Sequence, residues 1–267
     1  MKELVKLKNV SLTYQTKTSE TLAIDNLNLS IYEGEFVAIV GPSGCGKTTI
    51  LSLISKVLLP TKGTVEIYSK NDKNITGYMF QHDHLFGWRS IMKNITLGPE
   101  IQKSNNGSVK SYAELLLRKY GLYEYKDRYP NELSGGMRQR VALIRTLVLK
   151  PEILLLDEPF SALDFQTRLD VCDDVSNIIK QEKKTAVLVT HDLSEAISMA
   201  DRVIVLSNRP AKVKNIFTIN LKEYGPPLKR REHPDFSKLF DKIWKEVKTD
   251  EKQPISRKKT LSEKTKK

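Results

Sequence analysis

The sequence predicts an α/β fold: a mostly parallel sheet covered by helices, with an antiparallel β subdomain and an inserted helical subdomain. Three observations carry this. Phe36–Val40, Ile153–Leu156 and the apolar stretch inside Lys184–Thr190 are short unbroken apolar runs, as strands buried on both faces require. The first run enters a glycine-rich turn, and a helix-spaced apolar pattern follows at Ile50, Leu51, Leu53, Ile54, Val57 and Leu58. Residues 91–150 read as mostly helical, while the chain on either side alternates strand and helix.

In chain order, residues 3–14 partly alternate and predict a half-exposed strand ending at Tyr14, and Leu22–Ile31 predicts a second. After the helix that follows Phe36–Val40, Pro60–Gly63 is a turn, Thr64–Tyr68 a short strand, and Gly77–Gln81 another, ending on a polar amide. Residues 83–90 form a loop carrying Leu85, Phe86 and Trp88. Tyr112–Tyr120 has helical spacing, and a helix after Ser134 presents Val141, Ile144, Leu147 and Val148 on one face until Pro151 stops it. A helix runs from Asp164 to about Lys180, and Leu193–Ala200 is a further helix. Arg202–Leu206 and Lys212–Leu221 are strands, and Phe236, Leu239, Phe240, Ile243, Trp244 and Val247 make the packing stripe of a closing helix.

The 267 residues allow a substantial core, and 39% hydrophobic with 28% charged residues is a globular composition. No apolar run reaches the ~18 residues that span a bilayer, and the N-terminus lacks a signal-peptide core. A protein made and kept in the cytosol is expected. Cys45 and Cys172 make neither a disulfide framework nor a metal cluster. His82 and His84 lack a third ligand nearby. The net charge of +12 is concentrated partly in residues 248–267, read as a disordered basic tail, and no specific nucleic-acid partner is expected.

Two stretches carry chemistry. Gly41-x-x-x-x-Gly46-Lys47-Thr48 lies between strand and helix, the context of a phosphate-binding loop. Its glycines let backbone N–H groups curl around an anion, Lys47 can reach the β- and γ-phosphates, and Thr48 can ligate Mg²⁺. Cys45 inside this loop is a plausible target for thiol reagents. Ile153–Leu156 ends in Asp157 and Glu158, where α/β sheets bind ligands; one acid can hold Mg²⁺ and its neighbour can orient a water. Leu133-Ser-Gly-Gly136 opens a second helix shaped for an anion, with Ser134 as N-cap. Two glycines there are unfavourable unless something must come close.

The order of the phosphate loop 41–48, Gln81, Leu133-Ser-Gly-Gly136, Leu154–Glu158, Asp164 and His191 resembles the ATP-binding cassette (ABC) ATPase over residues 1–221, with a P-loop NTPase core and a helical subdomain at about 91–150. The resemblance implies roles. Tyr14 stacks on adenine; Gly41, Pro42, Ser43, Gly44, Cys45, Gly46, Lys47, Thr48 and Thr49 hold the phosphates of ATP. Thr48 and Gln81 ligate Mg²⁺ with Asp157 in support, Glu158 polarises the attacking water, and His191 contacts the γ-phosphate. Gln81 thus counts with Glu158 and His191 as catalytic, and Asp164 joins the nucleotide-binding set. Ser134, Gly135 and Gly136 bind ATP held by a second subunit. Met137 stands where the family most often has Gln, a departure that leaves the glycine backbone and Ser134 available.

Leu133–Arg140, Asp157–Asp164, Thr190–Ala196 and Leu206–Pro210 further resemble the nitrate/sulfonate/taurine type of importer ATPase. What this implies is a homodimer of ATPase subunits, peripheral on the cytoplasmic face of the cell membrane, docked through loop 83–90 on integral-membrane permease subunits and served indirectly by an extracytoplasmic solute-binding protein. Residues 222–247 are its C-terminal extension. The competing expectation is a soluble ABC ATPase acting on nucleic acid or ribosomes, but the chain has one cassette and no sustained heptads.

Overall fold

The computed structural model describes residues 2–69, 75–104 and 106–251. The chain begins with β1 (Glu3–Gln15), β2 (Glu20–Tyr32) and β3 (Phe36–Val40), then α1 (Lys47–Ile54), β4 (Lys62–Ile67) and β5 (Thr76–Met79). Helices α2 (Ile91–Ile95), α3 (Leu97–Ile101), α4 (Gly107–Lys119) and α5 (Gly135–Leu147) follow. The second half alternates: β6 (Ile153–Asp157), α6 (Phe165–Gln181), β7 (Thr185–Val189), α7 (Leu193–Met199), β8 (Arg202–Leu206) and β9 (Val213–Thr218). Helices α8 (Pro227–Arg230) and α9 (Pro234–Glu251) close it.

Two sheets form. The larger has the order β5-β6-β7-β3-β8-β9, parallel except for β9, which runs antiparallel to β8. The smaller is the antiparallel trio β2-β1-β4. Every residue of β3, β6 and β7 is buried, as unbroken apolar runs demand.

The two-residue period of a strand sorts this apolar content into two cores. Ala38, Val40, Leu154, Leu156, Ala186 and Leu188 face the layer holding α5, α6 and α7. Val37, Ile39, Leu155, Val187 and Val189 face α1 and the antiparallel sheet. Each fully buried Leu, Ile or Val side chain contributes roughly 1.5–3 kcal/mol. The central sheet is therefore the rigid plate on which both loop ends are mounted.

Most of the stripe on α9 packs as its spacing predicts: Phe236 and Ile243 are buried, and Leu239, Phe240 and Val247 lie against the same core, whereas Trp244 departs from it and is 45% exposed. The helix corrects the expected start of the disordered tail at residue 248, because it continues to Glu251. Residues 252–267, the rest of that basic tail, lie outside the described residues. Among the described residues no helix is long and apolar enough to cross a membrane.

Candidate active site

The strand order brings three chain segments together. Because β7 lies between β6 and β3, the ends of all three strands emerge side by side. The loop after β3 carries Gly41–Gly46, the end of β6 carries Asp157 and Glu158, and the turn after β7 carries His191.

In the loop, Gly44 and Gly46 have φ of 70° and 122°, a region side-chain-bearing residues enter only with strain. α1 starts without any side-chain cap, so its first N–H groups face the loop interior with no side-chain partner. The buried Lys47 folds back over the loop, its Nζ donating to the carbonyls of Gly41 at 2.9 Å and Pro42 at 3.0 Å. Cys45 corrects the expected reactivity: it is buried, and desolvation pushes its thiol up, away from the nucleophilic thiolate. Tyr14 stands half-exposed beside α1, its hydroxyl 3.1 Å from Thr49 Oγ1, which leaves the ring available for stacking.

Thr48 Oγ1 donates to Asp157 Oδ1 at 3.0 Å, and Tyr78 Oη donates to Asp157 Oδ2 at 2.9 Å. Burial raises the Asp157 pKa, opposed by these two hydrogen bonds; burial likewise pushes the Tyr78 phenol up. A hydroxyl and a carboxylate converging in a partly desolvated corner are hard oxygen donors that fit Mg²⁺, whose charge would offset the desolvation of Asp157. Among the described residues no group of three or more His, Cys, Asp or Glu side chains could hold a metal. Water and phosphate oxygens would thus complete the shell. Met79 of β5 pairs with Leu156, so Gln81 leaves the sheet beside the Asp157 strand. Gln81 is exposed and makes no hydrogen bond to Thr48 or Asp157 among the described residues.

Glu158 has a φ of 45°, a strained left-handed conformation for a side-chain-bearing residue. Its N–H donates to the Val189 carbonyl at 2.8 Å, which holds the strained turn against β7. Its Oε2 lies 3.0 Å from His191 Nδ1. A carboxylate beside an imidazole, on the ends of the two strands next in order to the phosphate-loop strand, can orient a water and sense a terminal phosphate.

Ser134 to Gly136 do not join this group within one chain. Ser134 caps α5, accepting from Met137 N–H at 3.3 Å. A Cβ on Gly136 would lie 2.9 Å from Val171 Cγ2 and 3.0 Å from Thr167 Cγ2, and one on Gly135 would lie 3.1 Å from Leu163 Cδ2. What comes close to these glycines is α6 and the turn before it. Asp164 is the N-cap of α6, accepting from Thr167 N–H at 3.0 Å; that bond holds its carboxyl below the usual range. Met137 contributes its N–H to Ser134 and its side chain to the core, so its departure from Gln leaves the helix start intact.

Several contacts escaped the sequence reading. Tyr78 buttresses Asp157, and Arg209 Nη2 donates to the Gly44 carbonyl at 2.6 Å, bracing the phosphate loop from the β8–β9 connection. Arg138 Nε pairs with Asp83 Oδ2 at 3.0 Å, while Arg145 donates to the carbonyls of His84 and Asp83 at 2.7 Å, tying α5 to the loop after Gln81. Asp83 thus serves an ion pair, and His84 packs edge-on to Phe80. No spacing rule signals the polar contacts, because each of them joins residues distant in sequence.

A phosphate loop, a strand-end carboxylate pair and an adjoining histidine on a mostly parallel sheet define a nucleotide-hydrolysing cassette. Residues 24–161 match the family described as ABC transporter. The uncharacterised ABC transporter ATP-binding protein YtlC of Bacillus subtilis (strain 168) is 46% identical over 251 residues, covering 92% of this chain and 96% of its own. The nitrate import ATP-binding protein NrtD of Synechocystis sp. (strain ATCC 27184 / PCC 6803 / Kazusa) is 37% identical, covering 85% and 88%. The dimeric, post-hydrolysis structure of the ATP-binding cassette MJ0796, bound to ADP and Pi, has a TM-score of 0.68 at 34% identity, covering 81% of this chain and 99% of that one. The chain belongs to the ABC transporter family and is an ATP-binding ATPase.

Proposed function

We propose that the chain is the energy-coupling subunit of a solute importer: two copies bind MgATP head-to-tail, and hydrolysis separates them. The observation that carries this is the division of the site. Gly41–Thr48, Asp157, Glu158 and His191 lie together, whereas Ser134 caps its own helix and the atoms nearest a Cβ built on Gly135 or Gly136 belong to Leu163 and α6. A cradle and a separate glycine-opened helix end on one chain make two composite sites under two-fold symmetry. The dimeric state of the similar MJ0796 cassette supports the arrangement.

In this reading, Lys47 exchanges its carbonyl partners for the β- and γ-phosphates. Thr48 and Asp157, joined by Gln81, would hold Mg²⁺, which would supply neutralisation of phosphate charge. Glu158 orients the attacking water, and His191 contacts the γ-phosphate. Tyr14 stacks on adenine. Ser134 and the N–H groups after it close over the γ-phosphate bound by the opposing copy, with the Asp164 turn at the same interface.

Loop 83–90 docks on the permease from the cytoplasmic face of the membrane. Trp88 is 76% exposed, with its ring 4.8 Å from that of Phe86, and α5 holds the loop through Arg138 and Arg145. The solute is small and nitrate-, sulfonate- or taurine-like, or vitamin-precursor-like, delivered by an extracytoplasmic binding protein; NrtD is the kind of relative that supports this. Size-exclusion chromatography of Glu158→Gln with MgATP tests the dimer. A dimer that forms with ATP and dissociates when Ser134→Arg is added is expected. A monomer at every nucleotide concentration, or wild-type turnover by Glu158→Gln, would overturn the reading.

A further inference from the structure

Behind the His191 turn lies a buried carboxyl that the proposed hydrolytic step does not use. Glu195, on α7, is 3% exposed. Its Oε2 accepts from Thr190 Oγ1 at 2.6 Å, and the same Thr190 oxygen accepts from Asp192 N–H at 3.0 Å. Asp192 in turn caps α7, accepting from Ser194 N–H at 2.7 Å and Glu195 N–H at 3.2 Å. His191 is the middle residue of this turn, so its backbone is clamped on both sides while its own ring stays 62% exposed.

The other anchor is Arg168 on α6. Its Nη2 donates to the Leu163 carbonyl at 2.9 Å, in the turn that leads from Glu158 to Asp164. Its Nη1 is 3.7 Å from Asp192 Oδ2 and its Nε 4.0 Å from Glu195 Oε1. Nε is buried with no hydrogen-bond partner among the described residues, so the guanidinium is held as an ion between two carboxylates. The side chain is 24% exposed, so it is only the Nε end that is taken out of water without a hydrogen bond. Here one side chain bridges the turn after β6 and the turn after β7.

We propose that Glu195 and Arg168 are positioning residues for ATP hydrolysis: through Thr190 and Asp192 they hold the His191 turn, and through the Leu163 carbonyl they hold it in register with the segment carrying Glu158. Neither touches nucleotide. The effect reaches the reacting atoms through the 3.0 Å contact between His191 and Glu158. This rests on the reading of Glu158 and His191 as hydrolytic residues. A misplaced pair slows the chemical step while leaving nucleotide binding, which the phosphate loop and Tyr14 govern, intact.

The test compares kcat, KM and nucleotide dissociation constant for His191→Ala, Glu195→Ala, Glu195→Gln, Arg168→Ala, Arg168→Lys, Thr190→Val and Thr190→Ser. Expected is a kcat loss of about tenfold or more for His191→Ala, Glu195→Ala, Arg168→Ala and Thr190→Val, with KM and nucleotide affinity of the Glu195, Arg168 and Thr190 variants within about twofold. Arg168→Lys, Thr190→Ser and Glu195→Gln, which keep the charge, the hydroxyl and the acceptor oxygen, should recover most of the rate. Should Glu195→Ala fail to fold, the Thr190→Val and Thr190→Ser pair decides. Wild-type turnover by His191→Ala overturns the underlying reading. An inactive His191→Ala beside a Thr190→Val and an Arg168→Ala of wild-type kcat overturns this inference alone. So does a parallel loss of kcat and nucleotide affinity without recovery by the conservative variants.

Discussion

At Lys47 the ammonium sits on the Gly41 and Pro42 carbonyls, so phosphate oxygens would replace partners it already has. Charge-assisted hydrogen bonds of this kind contribute roughly 1.5–3 kcal/mol. Lys47→Ala should therefore weaken ATP binding by about tenfold to a hundredfold in a calorimetric titration. Unchanged affinity would remove the loop from its assigned role. Glu195 carries the clearest pH signature. Burial, with Asp192 adding, pushes its carboxyl from an ordinary 4.5 to about 7, against the opposing influence of Thr190, Arg168 and His191. The folded chain then binds a proton that the unfolded chain releases, so the contribution to stability is full below about 4.5 and lost as pH rises through about 7. Between about pH 8 and about pH 5, the unfolding free energy of the wild type should gain on that of Glu195→Gln by something on the order of 3 kcal/mol. A pH-independent difference in chemical denaturation would contradict it.

At the scale of elements, the junction of α5 with α6 is where Gly135 and Gly136 acquire their structural meaning. Gly136 is needed for helix approach, since a Cβ would press on Val171 and Thr167. Gly136→Ala should cost about 1–3 kcal/mol in denaturant unfolding, and adding Val171→Ala should restore most of it. If ATP-driven dimerisation of Glu158→Gln still fails in that repacked background, the glycine serves nucleotide contact as well as packing. A Gly136→Ala chain as stable as the wild type would refute the packing account. The two demands coincide in one residue, and a reading of the local sequence registers only that something comes close.

Across the whole molecule, the loop after Gln81 is the link between site and surface that the importer reading proposes. Arg138 and Arg145 fasten it to the helix that begins at Ser134, and it presents Trp88 outward. Movement of α5 on nucleotide closure would carry the loop with it. Trp88→Ala should lower recovery of the permease subunits in affinity purification from solubilised membranes, with the ATPase activity of the isolated cassette unchanged. Undiminished permease recovery would place the docking surface elsewhere.

The legible part of this protein was local. A strand, a glycine-rich turn and a helix follow one another within residues 36–54, and the acids of Asp157 and Glu158 end an apolar run. Both are short-range patterns that periodicity and turn chemistry reveal. Hydrophobic spacing also placed the buried faces, including that of α9. Tertiary structure alone decided what those faces meet. It inserted β7 between β6 and β3, which set His191 against Glu158, put Tyr78 on Asp157 and Arg209 on Gly44, buried Cys45, and clamped Thr190 with Glu195. The physical reason is that sequence pattern reports whether a side chain leaves water, whereas its partner depends on strand order and helix packing.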